Sequence, residues 1–95
     1  MRVLKKEPGK EFVVTEIKNE LSALHEAVGG YIEVFPVSEE VLIICNEEGK
    51  LNGLPFNVKL CNEFFVGTIL IVGQDGEEFA DVPEDLIEGL QEVEK

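Results

Sequence analysis

Five consecutive apolar residues, Val41-Leu42-Ile43-Ile44-Cys45, run without a polar interruption. A strand with one face in water alternates apolar and polar side chains, so a run of this kind requires cover on both faces. It is expected to be the central strand of a sheet, and the rest of the chain must supply its neighbours and its covers.

The flanking sequence offers both. Arg2 to Lys6 and Glu11 to Ile17, rich in Val, Phe and Thr, are separated by Glu7-Pro8-Gly9-Lys10 and read as a hairpin. Ile17, Leu21, Leu24 and Val28 then recur at spacings of four, three and four, which places them along one stripe of a helix ended by Gly29-Gly30. Tyr31 to Val37 is a strand that joins the central run across Ser38-Glu39-Glu40. Thr68 to Val72 is a further apolar strand, and Asp75-Gly76 turns it into Glu77 to Phe79. A second helix follows, with Asp81 and Glu84 spaced as a capping box, Pro83 in the first turn, and Leu86, Ile87, Leu90 and Val93 as its buried stripe. Strands interrupted by two separated helices, without regular βαβ alternation, predict an α+β fold. The expected form is a mostly antiparallel sheet with two helices packed on one face, in one domain spanning residues 1–95.

Apolar residues make up 44% of the chain, enough for a packed core and against disorder. No apolar run approaches the roughly 20 residues of a membrane-spanning helix, and MRVLKKEPGK lacks the apolar core of a secretory signal, so a cytoplasmic location without membrane contact is expected. Cys45 and Cys61 are too few for a disulfide framework and lack metal-ligand spacing; reduced thiols in or near the core are expected, with a redox pair as the alternative.

The net charge of −12 is unevenly distributed. Residues 1–30 carry five acidic and five basic side chains, residues 31–60 five and two, and residues 61–95 ten and one. Direct binding to a nucleic-acid backbone, which needs clustered Lys and Arg, is disfavoured, and a basic partner fits better.

The catalytic inventory is thin. Walker and dinucleotide glycine loops, HExxH and paired CxxC motifs are missing, and His25 is the sole imidazole available to activate Ser22 or Ser38. His25 sits at the border of the first helix's apolar stripe, where a structural or surface role suffices. Paired carboxylates at Glu39-Glu40, Glu47-Glu48 and Glu77-Glu78 flank turns and do not follow a calcium-loop pattern, so neither a metal nor another cofactor is expected. Glu84, Glu88 and Glu92 recur every four residues, about 6 Å apart along a helix. Such a row either faces water or imitates the charge of nucleic acid.

The most distinctive segment is CNEEGKLNGLPFNVKL, residues 45–60. Pro55 fixes its own φ and extends Leu54, while Asn52, Asn57 and Lys59 place amides and a cation near Leu54 and Phe56. The segment can close one end of the sheet or hold a ligand. A candidate ligand site combines Gly29, Gly30 and Tyr31 with Asn52, Phe56, Asn57 and Lys59: backbone that permits close approach, a ring for stacking and polar contacts.

The N-terminal strand ending near EPGK, LSALHEAVGGYIE at 21–33, NEEGKLNGLPFN at 46–57 and FVGTILIVG at 65–73 together resemble the domain-of-unknown-function family 3846. The resemblance spans nearly the whole chain in order. It implies a compact α+β domain and a bacterial, phage or mobile-element setting, with no established activity, cofactor or substrate. Members of that family often carry Arg after the asparagine of the GLPxN motif; here Val58 follows Asn57, then Lys59, which lacks the planar guanidinium fork. The expectation is a non-enzymatic binding or interaction module for a host or phage protein or a small molecule. The alternatives are an acidic decoy of a nucleic-acid-binding defence protein, acting through Glu84, Glu88 and Glu92, and a small hydrolase.

Overall fold

The fold was obtained as a computed structural model that describes residues 1–93, with side chains described through Gly89. It is α+β: a mostly antiparallel sheet with two helices packed against it. Strands β1 (Arg2–Lys6) and β2 (Val13–Glu16) form the first hairpin, paired from Arg2 opposite Glu16 to Lys5 opposite Val13. The Lys10 N–H donates to the Glu7 carbonyl at 3.1 Å to close its turn. Helix α1 (Leu21–Val28) leads into β3 (Ile32–Pro36) and β4 (Val41–Asn46). A separate hairpin, β5 (Phe56–Leu60) and β6 (Glu63–Val66), precedes β7 (Ile69–Asp75), β8 (Glu78–Ala80) and helix α2 (Glu84–Val93).

The main sheet runs β2-β1-β7-β4-β3, with β8 paired to the far end of β7. Strand β4 is interior, as its apolar run demands, but the middle place belongs to β7. Ile71 of β7 faces Leu4 of β1 on one side and Ile43 of β4 on the other. Residues Ile69 to Gly73 are all buried, so β7 is the more deeply covered strand.

Alternate residues of these strands feed two separate cores. Val3, Leu42, Ile44, Leu70 and Val72 pack with Leu24 and Val28 of α1. Leu4, Ile43, Cys45, Ile69 and Ile71 pack with Phe65 of β6, with Val82 in the approach to α2 and with Ile87 of α2. The two helices therefore lie on opposite faces, which corrects the expectation that both cover one. The period of two explains it: the unbroken run Val41–Cys45 sends Val41, Ile43 and Cys45 to one face and Leu42 and Ile44 to the other, and both need cover.

Helix α1 has eight residues, too short to persist alone, and its N-cap residue Glu20 makes no side-chain cap. Burial of Leu24 and Val28 holds it, at about 1.5–3 kcal/mol per side chain. Ile17 precedes the helix but packs on the same core, whereas Leu21, expected in the stripe, is 58% exposed. Gly29 adopts φ +83 and donates to the His25 carbonyl at 2.9 Å, the left-handed ending its sequence implies. Asp81 does other work than capping: its Oδ1 accepts the backbone N–H of Arg2 at 2.7 Å and ties the approach to α2 against β1. Leu90 and Val93, expected in the buried stripe of α2, lie outside the described side chains. No described helix is long and apolar enough to cross a membrane.

Candidate functional site

The loop between β4 and β5 is folded on itself. Asn46 Oδ1 accepts the Glu48 N–H at 2.8 Å, and its Nδ2 donates to the Val28 carbonyl at 3.2 Å, so one amide shapes the turn and anchors it to the end of α1. Backbone bonds from Asn52 to Glu48 and from Leu54 to Gly49 complete the closure. Leu54 packs against Gly49 and Gly67, while Leu51 projects into solvent.

This loop forms one wall of a groove of about 360 Å³ between the β3–β4 end of the sheet and strand β6. Its interior holds Phe35 and Phe65, edge to face at 5.5 Å between ring centres, beside the Cys45 thiol. Glu33, Glu47, Lys50, Glu63 and Phe64 also line it. Lys50 Nζ donates to Glu63 Oε1 at 2.8 Å. That hydrogen bond draws the Glu63 carboxyl below its usual range and lifts the Lys50 ammonium above its own. Burial, reinforced by the neighbouring Glu33 carboxylate, pushes the Cys45 thiol up to about 11. The thiol therefore stays protonated at neutral pH, with its Sγ 3.8 Å from the Glu33 carbonyl as a weak donor. Among the described residues, two carboxylates, Glu33 and Glu47, remain without a salt-bridged cation, against a floor of aromatic carbon.

The residues singled out in the sequence occupy several places. Tyr31, 68% exposed, meets His25 edge to face at 5.3 Å, and its carbonyl accepts the Glu47 N–H at 2.8 Å. Gly30 lies against the Asn46 amide, so the Gly29-Gly30-Tyr31 corner touches the start of the loop. Asn52 is exposed on the loop. Phe56, Asn57 and Lys59 belong to strand β5. Phe56 and Phe64 form an exposed pair 6.0 Å apart, and Lys59 Nζ lies 5.4 Å from the centre of the Phe64 ring.

Asn57 points inward and is 7% exposed. Its Nδ2 donates to the Lys6 carbonyl at 2.8 Å and to the Gly67 carbonyl at 2.7 Å, and its Oδ1 accepts from Lys6 Nζ at 2.8 Å. Both amide hydrogens and one acceptor are thus engaged in fastening the hairpin to the end of β1. Between β1 and β3 lie two strands, roughly 14 Å from edge to edge at ~4.8 Å per step, so Asn57 and Tyr31 share an end of the sheet without sharing a cleft.

On α2, Glu84 contacts the Arg2 guanidinium, Glu88 is exposed, and the side chain of Glu92 lies outside the described residues. Cys61 is exposed in the β5–β6 turn, away from the core in which a thiol was expected, while Cys45 is buried; both are free. Among the described residues, no group of three or more His, Cys, Asp or Glu side chains is gathered to hold a metal ion. The groove residues Glu33, Phe35, Glu63, Phe64 and Phe65 escaped sequence reasoning. The available signal was Glu33, a carboxylate set between Ile32 and Val34 in an otherwise apolar strand.

Residues 1–95 match the family described as "Domain of unknown function (DUF3846)", and the chain belongs to that family. Comparison with curated proteins and with solved structures returns no match.

Proposed function

We propose that this DUF3846 member is a small non-enzymatic binding module whose groove receives a basic, partly apolar segment of a partner protein. The observation that carries this reading is the pairing of an aromatic floor, Phe35 and Phe65, with three carboxylates, Glu33, Glu47 and Glu63, of which Lys50 neutralises only the last. A cationic side chain with a long apolar stem satisfies both surfaces, since its stem covers the rings and its head meets the carboxylates. The net charge of −12 adds long-range attraction for such a partner. The setting proposed is the cytoplasm of a bacterium carrying a phage or other mobile element, where either host or element supplies the partner.

The test is isothermal calorimetry of the purified chain against a lysine-rich peptide and its glutamate counterpart. The lysine peptide binds, and more weakly as salt rises. Neutralising both free carboxylates, Glu33→Gln with Glu47→Gln, weakens binding about tenfold, at a few tenths to 1 kcal/mol for each partly exposed charge contact. Equal affinity for both peptides, or an unaltered affinity in the double variant, refutes the reading.

A further inference from the structure

Strand β3 ends the main sheet: among the described residues, nothing pairs with its outer edge. The direction of its peptide groups follows from the ladder with β4. Tyr31 O accepts from Glu47 N at one end and Val37 N donates to Val41 O at the other, and the register sets Glu33 opposite Cys45 and Phe35 opposite Ile43. Hydrogen-bonded pairs alternate along an antiparallel ladder, so the odd residues 31, 33, 35 and 37 bond inward to β4. The N–H and C=O groups of Ile32 and Val34 therefore point outward, followed by the carbonyl of Pro36, which has no N–H. The open ladder is two donors and three acceptors long and is closed at one end by proline.

The two faces beside this edge differ. Glu33 and Phe35 look into the groove with Glu47, whereas Val34, 38% exposed, lies on the face covered by α1. On an added strand, residues directly opposite Glu33 and Phe35 share their face, and those opposite Ile32 and Val34 share the other.

Resting on the binding reading above, we infer that the outer edge of β3 accepts an extended basic peptide as an additional strand. Its alternate Lys or Arg side chains enter the groove, and the intervening β-branched apolar residues cover Val34. Charge complementarity selects this edge over the opposite one. Around β2, Lys5 and Lys10 are balanced by Glu7 and Glu11, and both lysines already pair with Glu7, at 3.7 and 3.0 Å. Backbone bonds supply affinity in this mode, and the alternation of side chains supplies selectivity.

The experiment measures amide hydrogen exchange by NMR on the full chain with a capped six-residue peptide of alternating valine and lysine. A copy N-methylated on the bonding nitrogens and a valine–glutamate copy serve as controls. At a peptide concentration ten times its dissociation constant, exchange at Ile32 and Val34 slows about tenfold, while the already bonded Glu33 and Phe35 change little. Equal binding by the N-methylated copy, with exchange at Ile32 and Val34 unaltered, overturns strand addition and leaves the charged groove standing. Absence of binding by any lysine peptide overturns both. Protection of Ile32 and Val34 without peptide, growing with protein concentration, assigns the edge to a second copy of the chain and also overturns the inference.

Discussion

Replacing Asn57 with alanine tests whether the β5–β6 hairpin is fastened to the main sheet by one buried amide. The substitution deletes three hydrogen bonds, to the Lys6 carbonyl, the Gly67 carbonyl and the Lys6 ammonium. Each is worth about 1 kcal/mol net, and the two carbonyls lose a donor at a site where water has little access. The sum is about 2–4 kcal/mol, a large share of the roughly 5–10 kcal/mol that holds a domain of this size together. At about 4–8 °C per kcal/mol, the melting temperature falls by roughly 10–25 °C. Urea unfolding followed by far-ultraviolet circular dichroism measures it, with Asn52→Ala, an exposed loop amide, as a control expected within about 0.5 kcal/mol of the parent. Asn57→Asp discriminates further: it removes both N–H donors and sets a negative charge against two carbonyl oxygens, offset only by Lys6. It is therefore at least as destabilising at neutral pH as the alanine variant. A loss below about 1 kcal/mol for Asn57→Ala would refute the clamp and leave Phe65, Val58 and Leu60 to hold the hairpin unaided.

Alkylation by iodoacetamide at pH 8 should modify the exposed Cys61 and spare Cys45, and in a Cys61→Ser variant the rate should inflect near 11 instead of the ordinary 9.0. The same shift has a sign for stability. The folded chain keeps the Cys45 proton after the unfolded chain has lost it, so the contribution is complete below 9.0 and is lost as pH climbs toward about 11. Leu24→Ala should cost about 2–5 kcal/mol by chemical denaturation, and Leu21→Ala, one helical turn away and exposed, less than about 0.5, with equal losses arguing against the described packing of α1.

The apolar run of β4, the glycine ending of α1, the first hairpin and the Asp75-Gly76 turn were all legible, because each depends on local backbone preference or a short period. The second sheet was not. Its turn places Cys61 and Asn62 at φ 53 and 61, a conformation usually announced by glycine, and here neither residue is one. Its strand is further disguised by a register shift between Phe56 and Val58, which turns Asn57 inward and breaks the alternation expected of a half-buried strand. That the helices cover opposite faces follows from Val41 to Cys45 themselves, since an unbroken apolar strand requires a cover on each side. The groove joins Glu33, Lys50 and Glu63, whose proximity depends on how two sheets dock and not on spacing along the chain.

Because β7 is greasy on both sides, polarity cannot tell it which residue belongs opposite which, and sliding by one position would exchange one apolar set for another at little cost. Gly73 removes that freedom. Its α-carbon sits so close to the Asp81 carbonyl that a side chain has no room, and neither neighbour, Val72 or Gln74, fits there. The smallest residue in the strand thus acts as an alignment pin, and a methyl group added at 73 should yield chains that misassemble before they merely weaken.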